Sequence, residues 1–412
     1  MKNDISIVKT VEGRTLELES EGMEGAQGLV VKGKDLDTHE EMAVKIFHPV
    51  NRTAENIVRT EYLCSLKLSE SCPVLVAPLE LINDNGVVGY IMTLVNGKPL
   101  LVFIEEAKTT FMQNLVCLIT VMHGYVQLHS RKISHGDIRA GNVLVWMDGT
   151  VPRLRIIDFD NFSAPGIPKP TCLGDEMYLA PELSDALNAG KPVPPDLGSD
   201  LFSLRIMAEE ILMLRHPTAG YKETEELFVQ AMYDKWFFDP VSSIVPEAGY
   251  PPKILNARLA NLFRRGMSRT PSKRPTAAEW LDALLVSLGE VYICPRDKCG
   301  WPCLADASKV VCPGCGKPFP TVSLVLPDGC RIPVVKGFMQ IGRNELRAGG
   351  SVSTLHAIVR KTGPAVTIES HGRNGTYRRQ DNGNWERLAD GKPIVVLAGD
   401  VLRFADVEVH VE

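Results

Sequence analysis

Apolar and polar residues divide the chain into stretches with different periods. The runs Thr15 to Glu19, Leu29 to Lys32 and Ala43 to Phe47 are short, β-branched and bounded by Gly or charged residues, a pattern that predicts strands. From Ala54 to Leu68 the period changes, and Ile57, Leu63, Leu66 and Leu68 predict a helix with one apolar face. Tyr90 to Gly97 reads as a strand running into a connecting segment. Further on, Val143-Leu144-Val145-Trp146 and Leu154-Arg155-Ile156-Ile157 flank the turn Met147 to Thr150 and predict a β-hairpin. From Thr321 to the last residue the pattern is short strands between Gly, Pro and Asn turns, which predicts an all-β sandwich. The Pro-rich stretches Ala164 to Pro170 and Lys191 to Pro195 read as loops within the first domain.

Composition adds limits to this picture. The chain has 412 residues, 44% of them hydrophobic, enough for two or three domains with sizeable cores. No apolar run reaches the roughly 18 residues a membrane span requires, and Met1-Lys2-Asn3-Asp4 opens no secretory segment, so a cytoplasmic protein without membrane contact is expected. Net charge is −5. It divides into 33 basic against 40 acidic residues up to residue 320 and 12 against 10 after it, so neither part suggests a nucleic-acid partner.

The chemistry begins at the hairpin. His135-Gly136-Asp137-Ile138-Arg139-Ala140-Gly141-Asn142 precedes it and Ile157-Asp158-Phe159-Asp160 follows it, so the turn brings Asn142 and Asp158 together. This is the arrangement of a phosphotransfer site, with Asp137 as the base that orients a hydroxyl. Asn142 and Asp158 would hold magnesium (or manganese) on the phosphates of ATP. Upstream, Gly25-Ala26-Gln27-Gly28 offers backbone amides to phosphate, and Lys45 in Ala43-Val44-Lys45-Ile46-Phe47 offers a cation. Glu61, sixteen residues after Lys45 on the predicted helix, is the expected ion-pair partner, ahead of Glu55.

With these residues in place, residues 10 to 288 resemble the eukaryotic-like, bacterial-type serine/threonine protein kinases. Tyr178-Leu179-Ala180-Pro181-Glu182 matches the end of the family's activation segment. Asp200 matches the helix residue that braces the catalytic loop, and Arg274 matches the Arg that pairs with Glu182. The resemblance implies a bilobal α+β fold, with an N-lobe over about 1–95 and a C-lobe over about 96–289. It also implies a nucleotide pocket formed by Gly25, Gly28, Val30, Ala43, Lys45, Met92 as gatekeeper, Thr93, Val95 and Leu144 together with Asn142 and Asp158. The implied activity is transfer of the γ-phosphoryl group of ATP to protein hydroxyls, autophosphorylation included, with Thr171 as a candidate internal site. Protein substrates are the implied partners, with a cognate protein phosphatase as a further candidate. An inactive kinase-like scaffold and a small-molecule phosphotransferase of the aminoglycoside type are the alternatives.

The departures are specific. Met23 stands at the first glycine of the nucleotide loop, and Gly136 stands where an Arg would read a phosphorylated activation loop. Arg139 replaces the usual Lys, and Asp160 replaces the Gly that follows Asp-Phe. Asp175 replaces a Thr, so Arg139 and Asp175 read as a coupled exchange in which a bidentate Arg-carboxylate pair braces Asp137.

Five of the ten cysteines fall between Cys294 and Cys315. Cys294-Pro-Arg-Asp-Lys-Cys299-Gly300 and Cys312-Pro-Gly-Cys315-Gly316 form two hooks, a zinc ribbon over 290–320. So short a segment lacks a core of its own, and a structural metal would supply folding energy on the order of 10 kcal/mol. Cys303 could stand in for Cys294 as the fourth ligand.

In the last segment, 321–412, Ile341-Gly342-Arg343-Asn344, Ser353-Thr354-Leu355-His356 and Asn374-Gly375-Thr376 resemble the loops of forkhead-associated domains. The resemblance implies phosphothreonine binding, with Arg343 and Ser353 on the phosphate, Thr354 at the rim and Asn374 on the peptide backbone. Arg373 departs from the small hydroxyl residue usual before that Asn.

Overall fold

The structure, a computed structural model, describes residues 5–170, 174–217, 249–288, 290–294, 296, 298–304, 311–318, 322–334, 337–362 and 365–412. Thr171, the candidate internal phosphorylation site, lies outside them. The chain divides into two units, Met1–Tyr250 with Asn261–Asp282, and Pro251–Ala260 with Ala283–Glu412.

The first unit opens with a six-stranded antiparallel sheet. Its strands are β1 (Ile7–Lys9), β2 (Thr15–Glu24), β3 (Gly28–Asp35), β4 (Glu41–Phe47), β5 (Glu80–Asp84) and β6 (Val87–Thr93), in spatial order β1-β2-β3-β4-β6-β5. Period two assigns the faces of β4. Met42, Val44 and Ile46 join Val8, Leu16, Leu18, Val31, Ile82 and Ile91 in one apolar cluster. Ala43 and Phe47 join Val88, Tyr90 and Met92 in a second, on the face that also carries Lys45. Each such side chain contributes about 1.5–3 kcal/mol when fully buried, so the register of β4, and with it the direction of Lys45, is strongly held. Gly28 is required where β3 meets β4, since a Cβ there would lie 2.3 Å from the Ile46 carbonyl oxygen.

Helix α1 spans Ala54–Ser65 and is shorter than the period suggested. It is capped by Thr53, whose hydroxyl accepts the Asn56 N–H at 3.3 Å. A second, helical half follows. Its central helix, Phe111–Ser130, opens on a capping box of Thr110 and Gln113 and buries Leu115, Leu118, Val121, Met122, Tyr125 and Leu128. The helix Leu197–Met213 is buried almost along its whole length. Between these helices lies the expected hairpin, Val143–Asp148 with Val151–Ile156, paired from Val143 opposite Ile156 to Asp148 opposite Val151. The Ile157 N–H donates to the Asn142 carbonyl at 2.9 Å, closing the base of the hairpin.

In the second unit, Val291–Ile293 pairs with Pro302–Leu304 beside the cysteine hooks. Beyond them, two antiparallel sheets enclose one apolar cluster. One sheet has the order Arg331–Pro333, Ser323–Val325, Val407–Val411, Val401–Phe404, Thr376–Arg379 and Trp385–Arg387. The other has the order Gly337–Ile341, Ala357–Thr362, Ala365–Ser370 and Pro393–Val396. Leu324, Leu402, Phe404 and Val409 of the first meet Ile341, Val359, Val366 and Ile368 of the second, which is the expected all-β arrangement.

Candidate active site

The loop His135–Asn142 is held from below by Asp200. Its carboxylate accepts the His135 N–H at 2.7 Å and the Gly136 N–H at 3.0 Å, and the His129 ring nitrogen lies 3.1 Å away. Gly136 has a positive φ of 78°, and a Cβ there would meet the Asn161 carbonyl oxygen at 2.1 Å. The missing Arg therefore has a local cause, since that backbone conformation in that space accepts only glycine. Above the loop, Asn142 Nδ2 donates to Asp137 Oδ2 and to the Asp137 carbonyl, both at 2.9 Å, so the hairpin joins the expected base to one expected metal ligand.

Asp158, the other expected metal ligand, is a non-glycine residue in the left-handed region, at φ 66°. Phe159 anchors it by packing on the His135 ring, with centroids 4.9 Å apart. Asp158 Oδ1 lies 2.8 Å from Lys45 Nζ, and Asp160 Oδ2 also contacts Lys45. Burial alone would push the Lys45 ammonium down, but Asp160 and Asp158 outweigh it and hold it well above its ordinary value. The two carboxylates separate: burial drives Asp160 up, while for Asp158 the contact with Lys45 overcomes burial and brings it down.

Glu61 does not take the place expected of it. It is exposed, as is Glu55, and among the described residues the carboxylate partners of Lys45 are Asp158 and Asp160. The buried face of α1 is Asn56, Arg59, Thr60 and Leu63, a spacing of i, i+3, i+4 and i+7 from which Glu61 is absent. Arg59 turns inward, donating to the carbonyls of Pro168 and Asp160 at 2.6 Å and of Phe162 at 2.8 Å, with its guanidinium 4.4 Å from the Phe162 ring centre.

Arg139 and Asp175 also differ from expectation in detail. Arg139 Nη1 approaches Asp175 Oδ2 at 3.5 Å while its Nε lies 3.7 Å from Asp137 Oδ2, so the guanidinium spans the two carboxylates instead of gripping one. The Asp175 N–H adds a hydrogen bond to Asp137 Oδ1 at 3.2 Å. The nucleotide-pocket candidates gather around the second apolar cluster of the sheet, where Ala43 and Met92 are buried and Val30 and Val95 pack against it. Thr93 is exposed at the end of β6, and Leu144 lies half-buried in the hairpin opposite Pro99. Gly25 and Gly28 close the β2–β3 turn through a hydrogen bond of 2.9 Å.

In the second unit, the sulfur atoms of Cys294, Cys299, Cys312 and Cys315 all lie within 4.8 Å of one another. The Cys299 to Cys312 distance of 3.7 Å is far from a disulfide, yet close to the edge of a tetrahedron with metal–sulfur bonds of about 2.3 Å. The donor set fits zinc. Cys303 is instead buried in a strand opposite Tyr292, outside the cluster that Cys294 joins.

The three sandwich loops meet through the buried His356. Its Nδ1 accepts the Ser353 N–H at 3.1 Å and its Nε2 lies 2.9 Å from the Gly375 carbonyl. Ser353 Oγ accepts the Arg373 N–H at 3.2 Å, Asn374 Nδ2 donates to the Ser351 carbonyl at 2.7 Å, and Arg343 Nε donates to the Val352 carbonyl at 3.1 Å. Arg343, Thr354, Arg373 and Asn374 are exposed around this junction.

Serine/threonine-protein kinase dst2 of Dictyostelium discoideum is 26% identical over 290 residues, covering 64% of this chain and 22% of that protein. Serine/threonine-protein kinase dst3 of the same organism is 26% identical, covering 52% of this chain and 36% of its own length. Serine/threonine-protein kinase 10 of Homo sapiens is 24% identical, with 64% and 26% covered, so the match spans 22% to 36% of the length of these three relatives. A crystal structure of Rad53 1–466 in complex with AMP-PNP aligns with a TM-score of 0.49 at 20% identity, over 65% of this chain and 64% of that one. Residues 21–285 match the protein kinase domain, a span that holds Lys45, Asp137, Asp158, Glu182 and Arg274, and on that match the chain belongs to the protein kinase domain family.

Proposed function

We propose that the chain is a serine/threonine protein kinase, built as a kinase domain over 1–289, a zinc ribbon over 290–320 and a phosphothreonine reader over 321–412. The observation that carries the reading is the junction of Asp137, Asn142 and Asp158 at one end of the hairpin, facing Lys45. Asp137 orients the substrate hydroxyl and receives its proton, on a carboxylate whose Oδ2 accepts Asn142 Nδ2 and whose Oδ1 accepts the Asp175 N–H. Asn142 and Asp158 would hold magnesium, which when bound neutralises charge on the phosphates. Lys45 orients the phosphates of ATP, and Gly25 and Gly28 admit them to backbone amides.

Cys294, Cys299, Cys312 and Cys315 would hold a structural zinc, supported by their donor set and spacing. Arg343, Ser353, Thr354 and Asn374 would read phosphothreonine, supported by the convergence of their loops on His356. A reader joined covalently to a kinase meets the product at an effective concentration of roughly millimolar for short flexible connections. Transfer of radiolabelled phosphate from ATP to a generic basic protein tests the first reading. The wild type should label it, and Asp137→Asn should lose about 10²- to 10⁴-fold in rate. Equal labelling by both would end the kinase reading. For the reader, a phosphothreonine peptide library should yield binders of the full chain that Arg343→Ala loses, and the absence of any phosphate-dependent binder would leave a structural sandwich.

A further inference from the structure

A lysine that orients phosphates needs a fixed carboxylate behind it, and that carboxylate must stay in place when a metal claims Asp158. The two partners of Lys45 differ in this respect. The Asp158 side chain is 34% exposed, whereas that of Asp160 is 6% exposed. Asp160 Oδ1 also accepts the Tyr90 hydroxyl at 2.8 Å, and its carbonyl accepts Arg59 Nη2 at 2.6 Å. Tyr90 lies on β6 directly opposite Lys45 on β4, so lysine and tyrosine reach Asp160 from one face of the sheet. The next residue is fixed too, as Asn161 Oδ1 accepts Gln27 Nε2 at 2.7 Å.

We propose that Asp160 is the positioning residue of Lys45, and that α1 holds the Asp160 segment through the cation Arg59 instead of supplying a carboxylate of its own. The linkage between helix and lysine thus runs in reversed polarity. Arg59 grips the backbone of residues 160–168, Asp160 in that segment grips Lys45, and Asp158 is left to exchange Lys45 for a metal. Without Asp160, the carboxylate left facing Lys45 among the described residues is Asp158, and the lysine and the metal then compete for it. This inference rests on the phosphotransfer reading of the site, and binding measurements separate the two.

The test is a double-mutant cycle on Mg-ATP affinity, measured by calorimetry with the full chain. Asp160→Asn should weaken affinity about 10- to 100-fold, as loss of a charge-assisted contact does. In a Lys45→Met background the same substitution should cost less than about two-fold, because Asp160 acts through Lys45. Tyr90→Phe, which keeps the carboxylate and removes one anchor, should weaken affinity in the same direction by less, and Glu61→Gln should leave it unchanged. Melting temperatures of the variants identify any that do not fold. Unchanged affinity in folded Asp160→Asn, equal losses in both backgrounds, or a matching loss in Glu61→Gln would each overturn the proposal, and for an unfolded Asp160→Asn the Tyr90→Phe result decides. A wild type that binds Mg-ATP but transfers no phosphate would end the kinase reading and leave the Lys45 result standing. A wild type that binds no Mg-ATP overturns both.

Discussion

Arg274 and Glu182, 92 residues apart, are joined by two parallel hydrogen bonds of 2.6 and 2.7 Å, and the Arg274 side chain is wholly buried. The guanidinium also donates to the carbonyls of Gly198 and Ser268, so four of its five N–H groups are engaged. This pair ties the residue after Pro181 to the loop that precedes the last helix of the unit. Removing one partner of such a pair leaves a buried charge uncompensated. Glu182→Ala is therefore expected to cost about 3 kcal/mol or more of stability in denaturant unfolding followed by tryptophan fluorescence, since Trp280 lies in the same unit. A loss within experimental error would mean that the carbonyl contacts alone suffice.

Arg139 stands between Asp137 and Asp175, at 3.7 and 3.5 Å. Arg139→Lys shortens the reach and Asp175→Thr removes a charge, and each should lower the transfer rate. Combined, they recreate the Lys and Thr arrangement usual in related kinases, and part of the loss should return. Strictly additive rates in the double variant would show that the two residues act independently.

The four-cysteine cluster should bring close to one zinc per chain by elemental analysis. Cys303→Ser should keep the metal, because Cys303 lies in a strand outside the cluster, and Cys312→Ser should lose it. Chelation should disorder the ribbon and leave Mg-ATP binding nearly intact. Full zinc content in Cys312→Ser would overturn the assignment.

Glu210 is buried beneath the activation segment, where its Oε2 accepts the Tyr178 hydroxyl at 2.5 Å. Burial raises its carboxyl from 4.5 to about 7, against the opposing effect of the Tyr178 hydrogen bond. The folded state then holds a proton that the unfolded chain releases above pH 4.5. Its stabilising contribution is full below that value and is lost as pH rises through about 7, on the order of 3 kcal/mol in total. Glu210→Gln should flatten the fall in melting temperature between pH 5 and 8. Parallel curves for the two proteins would show that Glu210 is ionised throughout.

Local chemistry was legible in the sequence wherever spacing along the chain implies proximity. A tight hairpin forces Asn142 and Asp158 together, and two cysteine hooks with glycines behind them form a cluster whatever surrounds them. Motif order also carried Glu182 to Arg274 and the three sandwich loops to one junction, because each loop is fixed by its neighbouring strands. What the sequence could not assign was the partner of Lys45. The apolar residues could not fix the inward face of α1, since Leu66 and Leu68 lie beyond the helix, Ile57 is half-buried, and the buried positions beside Leu63 are the polar Asn56, Arg59 and Thr60. A helix turns by 100° per residue, so a phase error of two residues moves Glu61 from the site to solvent. The signal was present at Asp160, a carboxylate in a position where related kinases have none, but its meaning required the third dimension. Only the packed structure shows that β4, β6 and the segment after Asp158 direct Lys45, Tyr90 and Asp160 into one buried space, where a charge must find its counter-charge.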